Sequence, residues 1–490
     1  MKNYVFYFLV GSQYLYGPEA IEQVNADAEK IAAGLNENPL IPCRVVCKPC
    51  AKTSAEVSAL AAGANADENC AGVITWMHTF SPSKMWIAGL SALRKPYLHV
   101  NTQFNRDIPW ETIDMDFMNL NQSAHGDREH GYIAARLRLP RKVIAGHWQA
   151  EEFARETGEW MRAAVGALES KRLRVLRISD NMRDVAVTEG DKIEAQIKLG
   201  WQVDHFGAGD IADAVDSVDS AEIDGQMEEY RRHYILDTDD IEAVKYQARL
   251  QVALNKFLVQ GGFGAFHTNF QDLHGLRQLP GLAVQDLSRR GYGFAAEGDW
   301  KTAALVRVMK LMAAGKGGGT AFMEDYTYHF EPGNEMILGA HMLEVCPTLA
   351  AEKPKIQVHP LGIGGKEPPA RAVFKAKAGK AIVASLVDMG NRLRLIVNDI
   401  ECVEQPYDMP KLPVARVLWK PAPSLKTSAE AWILAGGAHH SALSFDLTAG
   451  QMADFAEMCG IEFLHIGEDT AIPDFRKELF YNDMAWRVNG

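Results

Sequence analysis

The sequence predicts an α/β protein with two consecutive α/β domains and a final antiparallel β-rich domain. Short β-branched runs alternate with helical patterns from Tyr4 to about residue 170, and the alternation restarts at Leu173. Closely spaced strand patterns follow the glycine cluster at 315–319. Alternating strands and helices are typical of βαβ units around a parallel sheet. We therefore expect domains over residues 1–170, 171–320 and 321–490.

The first domain contains four strand patterns with helical patterns between them. The strands are predicted at 4–10, 44–46, 72–75 and 97–100, and the helices at 19–35, 54–62 and 83–93. The apolar run at 4–10 is far shorter than the roughly 18 residues of a membrane helix, so we interpret it as a buried strand. A long amphipathic helix over 151–168 leads into the second domain.

The second and third domains differ in the spacing of their patterns. In the second domain, strands at 173–178, 201–205 and 261–266 alternate with helices at 191–199 and 239–259. In the third, strands are predicted at 372–377, 381–387 and 392–397, with Gly379-Lys380 and Gly390-Asn391 as the hairpin turns between them. This spacing predicts antiparallel β structure with some helix.

Composition limits the ligands that the protein can bind. Lys and Arg number 51 and Asp and Glu number 63, so the net charge is −12. Such a charge repels nucleic acid and anionic lipid, and leaves a small neutral or cationic ligand open. Cys43, Cys47 and Cys50 do not complete a set of four zinc ligands, which predicts buried reduced thiols. No signal-peptide pattern surrounds the first strand, so we expect a cytoplasmic protein.

Three common catalytic motifs are missing from the sequence. A glycine follows Lys316, where a P-loop requires Ser or Thr. The first strand leads to the segment 11–17, which lacks the G-x-G-x-x-G glycines of dinucleotide-binding folds. No G-x-S-x-G elbow occurs for covalent acyl chemistry.

Carboxylates and histidines in glycine-rich settings are the remaining candidates, in the segments 291–300, 322–326, 339–344 and 436–440. Two glutamates with two histidines would suit Mn²⁺, Co²⁺ or Mg²⁺. Such an ion acts as a Lewis acid on a polyol or carbonyl substrate, and two carboxylates can move a proton between adjacent carbons through an enediol. The same groups could activate water for hydrolysis, and the residues alone leave both reactions open.

Long strings of residues resemble the L-arabinose isomerase family along essentially the whole chain. They include TWMHTFSPSKMW at 75–86, DMDFMNLNQSAHG at 114–126, GYGFAAEGDWKTAAL at 291–305 and FMEDYTYHFE at 322–331. The resemblance implies the fold that this family shares with L-fucose isomerase: two Rossmann-like α/β domains followed by a C-terminal β-rich, barrel-like domain. It also implies an aldose–ketose isomerase of L-arabinose catabolism, which converts L-arabinose to L-ribulose and D-galactose to D-tagatose more slowly.

The resemblance further implies roles for individual residues. The catalytic acid/base pair would be Glu297 and Glu324, and one Mn²⁺ per subunit, or Co²⁺ or Mg²⁺, would be held by Glu297, Glu324, His341 and His440. Substrate contacts would come from Gln13, Leu15, Met182, Phe270, Ile363 and His440, together with His125 from a neighbouring subunit. The protein would be a hexamer with active sites between subunits.

Two features keep alternatives open. From sequence patterns alone, Leu15, Met182, Phe270 and Ile363 would each be interpreted as core residues. Gln271 stands where the family pattern has Glu, and we predict that it influences the preference between L-arabinose and D-galactose. The alternative functions are an L-fucose-type isomerase of another aldose and a non-catalytic sugar-binding protein.

Overall fold

The computed structural model describes residues 1–489 and divides into two compact units, Met1–Leu168 and the chain from Glu169 onward. Each unit is described by itself. The predicted domain ranges 1–170, 171–320 and 321–490 stay predictions. No helix among residues 1–489 is long and apolar enough to cross a membrane.

The first unit is a five-stranded parallel sheet with helices between its strands. Its strands have the order β2-β1-β3-β4-β5. The elements are β1 (Val5–Val10), α1 (Gly17–Glu37), β2 (Arg44–Cys47), α2 (Ser54–Ala66), β3 (Cys70–Trp76), α3 (Ile87–Ala92), β4 (Tyr97–Asn101), α4 (Met115–Leu120), α5 (Ser123–Arg136), β5 (Lys142–Ala145) and α6 (Glu151–Ser170). Every residue of β3 is buried, as expected of a central parallel strand that helices cover on both faces.

The second unit begins with a four-stranded parallel sheet of order β10-β9-β6-β7. Its elements are β6 (Arg174–Ile178), α7 (Lys192–Leu199), β7 (Gln202–Phe206), α8 (Ala208–Asp216), α9 (Ser220–His233), β8 (Ile235–Leu236), α10 (Ile241–Gly261), β9 (Ala265–His267), α11 (Leu282–Arg289), β10 (Gly293–Ala295) and α12 (Trp300–Met312). Helix α12 is almost wholly buried, and it is apolar on most of its surface for that reason.

A β-barrel follows in the same unit. The remaining elements are β11 (Thr320–His329), β12 (Met336–Ala340), β13 (Lys355–Val358), β14 (Ala370–Val373), β15 (Gly379–Asp388), β16 (Leu393–Cys402), β17 (Arg416–Pro421), α13 (Leu425–Ala435), β18 (His440–Ser444), α14 (Ala449–Cys459), β19 (Glu462–Ile466) and α15 (Ile472–Asn489). Six antiparallel strands close into a ring in the order β15-β18-β11-β12-β17-β16, because β15 also pairs with β16. Strand β19 adds to β16 in parallel, and β14, β13 and β8 form a small separate sheet. The predicted fold class is confirmed.

One predicted hairpin is wrong and one is confirmed. Gly379 and Lys380 begin strand β15 and do not form a turn, because β14 pairs with β13 instead of β15. Gly390 and Asn391 form the expected turn between β15 and β16, whose last pair is Asp388 with Leu393. The glycine at 379 therefore indicates where a strand begins, but it does not show which strand pairs with it.

Candidate active site

Three adjacent barrel strands bring three of the predicted ligands together. Strand β11 lies between β18 and β12, and its Glu324 is the register partner of His440 on β18 and of Ala340 on β12. His341 directly follows Ala340. Directly opposed residues on paired strands have neighbouring side chains. The register of the barrel thus gathers Glu324, His341 and His440 at one place.

The fourth predicted ligand, Glu297, lies in a strained turn after β10. Its backbone is left-handed, with φ 59°, which is uncommon for a residue with a side chain. The carbonyl of Glu297 accepts a hydrogen bond from the N–H of Met182 (3.0 Å), and the N–H of Gly298 donates to the carbonyl of Thr268 (3.1 Å). Gly298 has φ 83°, and a Cβ there would lie 2.4 Å from Cα of Asn181. Only glycine permits this approach.

The four side chains form two carboxylate–imidazole pairs. Oε2 of Glu297 lies 3.6 Å from Nε2 of His440, and Oε2 of Glu324 lies 3.8 Å from Nε2 of His341. The two imidazole rings are 6.3 Å apart between centroids, and the edge of Phe322 packs against both. The pairs therefore belong to one cluster.

His439 is a further member of the cluster. Its Nε2 lies 3.7 Å from Oε2 of Glu297. Glu297, His439 and His440 offer ligand atoms that all lie within 4.8 Å of one another, a group that could hold a metal ion. His440 is fully buried, whereas the His439 side chain is 37% exposed.

Two other carboxylates set the orientation of the histidines. Oδ2 of Asp299 lies 3.1 Å from Nδ1 of His440, and Glu344 hydrogen-bonds to Nδ1 of His341. An ionised carboxylate only accepts hydrogen bonds, so Nδ1 carries the proton in both rings. The Nε2 lone pairs are then free to face Glu297 and Glu324. A carboxylate behind each imidazole is the usual arrangement of metal-binding histidines.

The charges of the cluster lower the pKa of Glu297 and raise that of His341. The imidazole of His439 is the largest influence on Glu297 and lowers the pKa of its carboxyl; burial opposes this, and His440 and His341 add to it. Burial lowers the pKa of His341, but the carboxylates of Glu344, Glu324 and Glu297 outweigh burial, so that the pKa is raised overall.

Asp299 is buried and Asp325 is half-buried, and their pKa values move in opposite directions. Burial raises the pKa of Asp299, but Lys301, His440 and Thr302 outweigh it and hold the pKa well below its usual range. Burial and the neighbouring Glu324 raise the pKa of Asp325 to about 7. Asp299 is therefore a permanent anion behind His440.

The residues present fit a divalent cation. Nε2 of His440 is buried and has no hydrogen-bond partner in the part of the chain that the structure describes. A buried polar atom without a partner is unusual and requires an explanation. Two carboxylates beside imidazole Nε2 atoms form the mixed oxygen and nitrogen donor set of hard and borderline divalent ions. A cation among these groups would satisfy the lone pair of His440.

Two predicted sugar contacts of the second unit and the predicted ligand Glu297 follow the carboxyl ends of parallel strands. Met182 comes after β6, Phe270 after β9 and Glu297 after β10, and these three strands belong to one parallel sheet. The carboxyl edge is where open α/β sheets bind ligands. Oε1 of Gln271 accepts a hydrogen bond from the N–H of Arg183 (3.0 Å), so this side chain connects two of the loops.

Another predicted sugar contact of this unit, Ile363, lies in a glycine-rich loop and is 37% exposed. The Nζ of Lys366 donates to the carbonyls of Leu273 (2.9 Å) and Leu276 (2.8 Å), which ties this loop to the segment after β9. Met182 and Phe270 are half-buried. The alternative interpretation of these residues as core residues is therefore wrong.

The remaining predicted contacts, Gln13, Leu15 and His125, belong to the first unit. Gln13 follows β1, at the point in the sheet where the strand order reverses between β1 and β3. Its Nε2 donates to the carbonyl of Phe80 (3.1 Å), and the Phe80 ring stacks on His125 at 5.1 Å between centroids. Leu15 is 83% exposed, so it too is not a core residue. Gln13 therefore follows a strand beside the crevice position that this sheet order favours for ligands, and Phe80 connects it to His125.

Sequence reasoning missed the roles of His439, Asp299 and Glu344. His439 lies in the glycine-rich segment 436–440, but the family resemblance implies a role only for His440. Asp299 and Glu344 were within the glycine-rich segments that drew attention, two and three residues after Glu297 and His341 respectively. An acid that follows a ligand at such short spacing was the available signal. Asp299 also caps α12 by accepting from the N–H of Thr302, so a structural role concealed the other one.

The fold and the cluster define an α/β protein with a carboxylate–imidazole centre at the junction of a parallel sheet and a β-barrel. Comparison with known protein families identifies domains of one family along the chain. The L-arabinose isomerase N-terminal domain matches residues 1–172, the central domain 174–315 and the C-terminal domain 319–462.

Full-length relatives agree with these matches. The chain is 58% identical over 489 residues to L-arabinose isomerase 1 of Bacillus licheniformis and 57% identical over 493 residues to L-arabinose isomerase of Geobacillus thermodenitrificans, with 99% of each chain covered. It is 55% identical over 488 residues to the enzyme of Thermotoga petrophila, covering 99% of this chain and 98% of the relative. The chain belongs to the L-arabinose isomerase family. The predictions of this family and of an enzyme are confirmed.

Proposed function

We propose that this protein interconverts L-arabinose and L-ribulose by moving a proton between adjacent carbons of the open-chain sugar. The observation that carries this proposal is the paired arrangement of Glu297 with His440 and Glu324 with His341. Each carboxylate lies beside an imidazole whose other nitrogen is held by a second acid. Two carboxyl groups at one centre can share the removal and the return of a proton.

The donor set suits a divalent cation, for which we propose Mn²⁺, with Co²⁺ or Mg²⁺ as substitutes. Glu297, Glu324, His341 and His440 would hold it. When bound, such an ion supplies Lewis-acid polarisation of the sugar oxygens. His439, beside Glu297, is the other donor of suitable type, and the comparison of variants below distinguishes it from His440.

The chain's own residues then have defined tasks. One of Glu297 and Glu324 takes the proton from C2 of the aldose as an enediol forms, and a carboxylic acid of the same pair returns a proton to C1. The hydroxyl proton on O2 passes to O1 in the same conversion, so that the aldose and the ketose contain the same atoms. Asp299 and Glu344 keep the two imidazoles in one tautomer. The loops that carry Met182, Phe270 and Ile363 form walls that limit the room around the sugar.

The proposal has three further parts, which concern a second substrate, the oligomeric state and the location of the protein. D-galactose, a larger aldose, would be converted more slowly. Leu15 and His125 are exposed in the single chain, which supports a hexamer in which His125 contributes to a neighbour's site. We also propose that the protein acts in the cytoplasm.

The test is an assay of ketose formation from an aldose panel, with chelated protein and with added Mn²⁺. We expect L-arabinose to be the best substrate and chelation to remove turnover, which returns with Mn²⁺. Glu297→Gln and Glu324→Gln should each lose most of kcat, because an amide cannot carry the proton, while the exposed Glu152→Gln should not. A preference for L-fucose, or sugar binding without turnover, would contradict the proposal.

A further inference from the structure

The second unit contains another cleft, which shares no lining residue with the candidate active site. It has a volume of about 640 Å³ and lies among β13, the end of β14 and the loop that carries residues 408–413. Ligand pockets for small organic molecules commonly have volumes of about 300–1,000 Å³. The cleft is therefore large enough for a metabolite.

The lining of this cleft is positively charged although the chain as a whole has a net charge of −12. Four cationic side chains line it, against two carboxylates, Glu352 and Asp408; the cations are Lys353, Lys355, Lys375 and Arg416. Lys355 has a partner outside the lining, because its Nζ lies 3.6 Å from Asp237. The lining therefore contains two more cationic than anionic side chains.

Arg416 is a buried cation with neutral partners. It is 6% exposed. Its Nε donates to Oε1 of Gln405 (2.9 Å) and its Nη1 to the carbonyl of Val414 (3.2 Å). Burial lowers the pKa of Arg416, and Asp408 opposes this. Among the described residues, no carboxylate lies within ion-pair distance of the guanidinium, so its charge is open to an anion in the cleft.

Asp408 lies close to three of the cationic side chains of the cleft. Its carboxylate pairs with Lys375, and Lys375 is the largest influence that lowers the pKa of Asp408, with Arg416 and Lys355 adding to it. Yet the Asp408 side chain is 82% exposed, on a loop. An exposed ion pair of this kind contributes little to stability. An external anion could therefore displace Asp408 at small cost.

We propose that this cleft binds a small organic phosphate, with the phosphate group between Lys375, Lys355 and Arg416. A phosphate dianion carries more charge than the Asp408 carboxylate that it replaces, and lysine and arginine are the usual phosphate partners. Phe374, Leu412 and the neighbouring prolines supply an apolar wall for the organic part. This binding site is independent of the isomerase activity proposed above.

The experiment is isothermal titration of the full-length, EDTA-treated protein with glycerol 3-phosphate at constant ionic strength. Chelation prevents a metal at Glu297 from capturing the phosphate. We expect saturable binding of one glycerol 3-phosphate per chain, weaker binding of inorganic phosphate and none of glycerol. Lys375→Gln and Lys355→Gln, which change exposed side chains, should each weaken binding about tenfold. Asp408→Asn should strengthen it, because the competing carboxylate is removed.

Lys426→Gln provides the matched control. It removes the same charge from a side chain that is 79% exposed and does not line the cleft. Unchanged affinity in this variant would support the proposal. Three results would overturn it: no saturable binding, equal weakening by Lys426→Gln and Lys375→Gln, or inorganic phosphate binding as tightly as glycerol 3-phosphate, which would indicate an adventitious ion only.

Discussion

Asp299→Asn tests whether the acid behind His440 fixes the tautomer of that ring. Oδ1 of Asp299 accepts from the N–H of Thr302 (3.1 Å), and Oδ2 faces both the Thr302 hydroxyl (2.7 Å) and Nδ1 of His440 (3.1 Å). An asparagine that keeps its oxygen toward the Thr302 N–H turns its NH₂ group toward Nδ1. His440 would then carry its proton on Nε2, the atom that should bind the cation.

The expected effect is a loss of metal affinity with the fold retained. Removing such an outer partner of a metal-binding histidine typically costs about 10- to 100-fold in affinity, which corresponds to about 1.4–2.8 kcal/mol. Titration of the chelated protein with Mn²⁺ measures this directly. Circular dichroism of the same samples reports whether the variant is folded.

Glu462→Gln is the matched control for this prediction. Glu462 is also a buried carboxylate, and it pairs with Arg392 and Arg394, but it does not contact the cluster. We expect this change to lower stability and leave Mn²⁺ affinity unchanged. If Asp299→Asn binds Mn²⁺ within twofold of the unaltered protein, the tautomer argument fails.

Three further predictions concern the same unit. His440→Ala should weaken Mn²⁺ binding more than His439→Ala, because Nε2 of His440, unlike that of His439, is buried without a hydrogen-bond partner among the described residues. The reverse order in titrations would make His439 the ligand. The native pKa of Asp299 lies below its ordinary value of about 4. Its ionised form therefore stabilises the fold above about pH 4, and this contribution is lost as the pH falls below that value. In urea unfolding of metal-free protein, the difference in stability between the unaltered protein and Asp299→Asn should shrink between about pH 5 and pH 3, and a constant difference would contradict this reasoning. Gln271→Glu should change the ratio of kcat/KM for L-arabinose and D-galactose, since Gln271 holds the backbone of Arg183 beside Met182, and an unchanged ratio would reject this role.

The sequence predicted most of the architecture because its signals are local. Alternating apolar runs and helical patterns located β1 to β4 and the restart of the alternation at Leu173. The turn at Gly390-Asn391 was found for the same reason. Gly379-Lys380 was misread because a glycine indicates a change of direction without showing which strand lies alongside.

The candidate site was predicted less completely because it depends on strand pairing between distant segments. Nothing local shows that Glu324 lies opposite His440; the barrel register decides it. The roles of Asp299 and Glu344 depend on which ring nitrogen each one faces, which spacing does not reveal. Leu15 was ambiguous because an apolar residue in a sequence looks the same whether a core or a ligand covers it.

The position of Glu324 within the barrel also affects how the protein should unfold and lose activity on heating. Strand β11 pairs with β18 over Thr320–Glu324 and with β12 over Glu324–His329, so the two pairings meet at Glu324. The backbone around Glu324 is therefore held by neighbouring strands of the ring, and its amides should exchange with solvent mainly when the ring opens. Amide exchange around Glu324 should therefore be among the slowest in the chain, and enzymatic inactivation should coincide with the cooperative melting of the barrel.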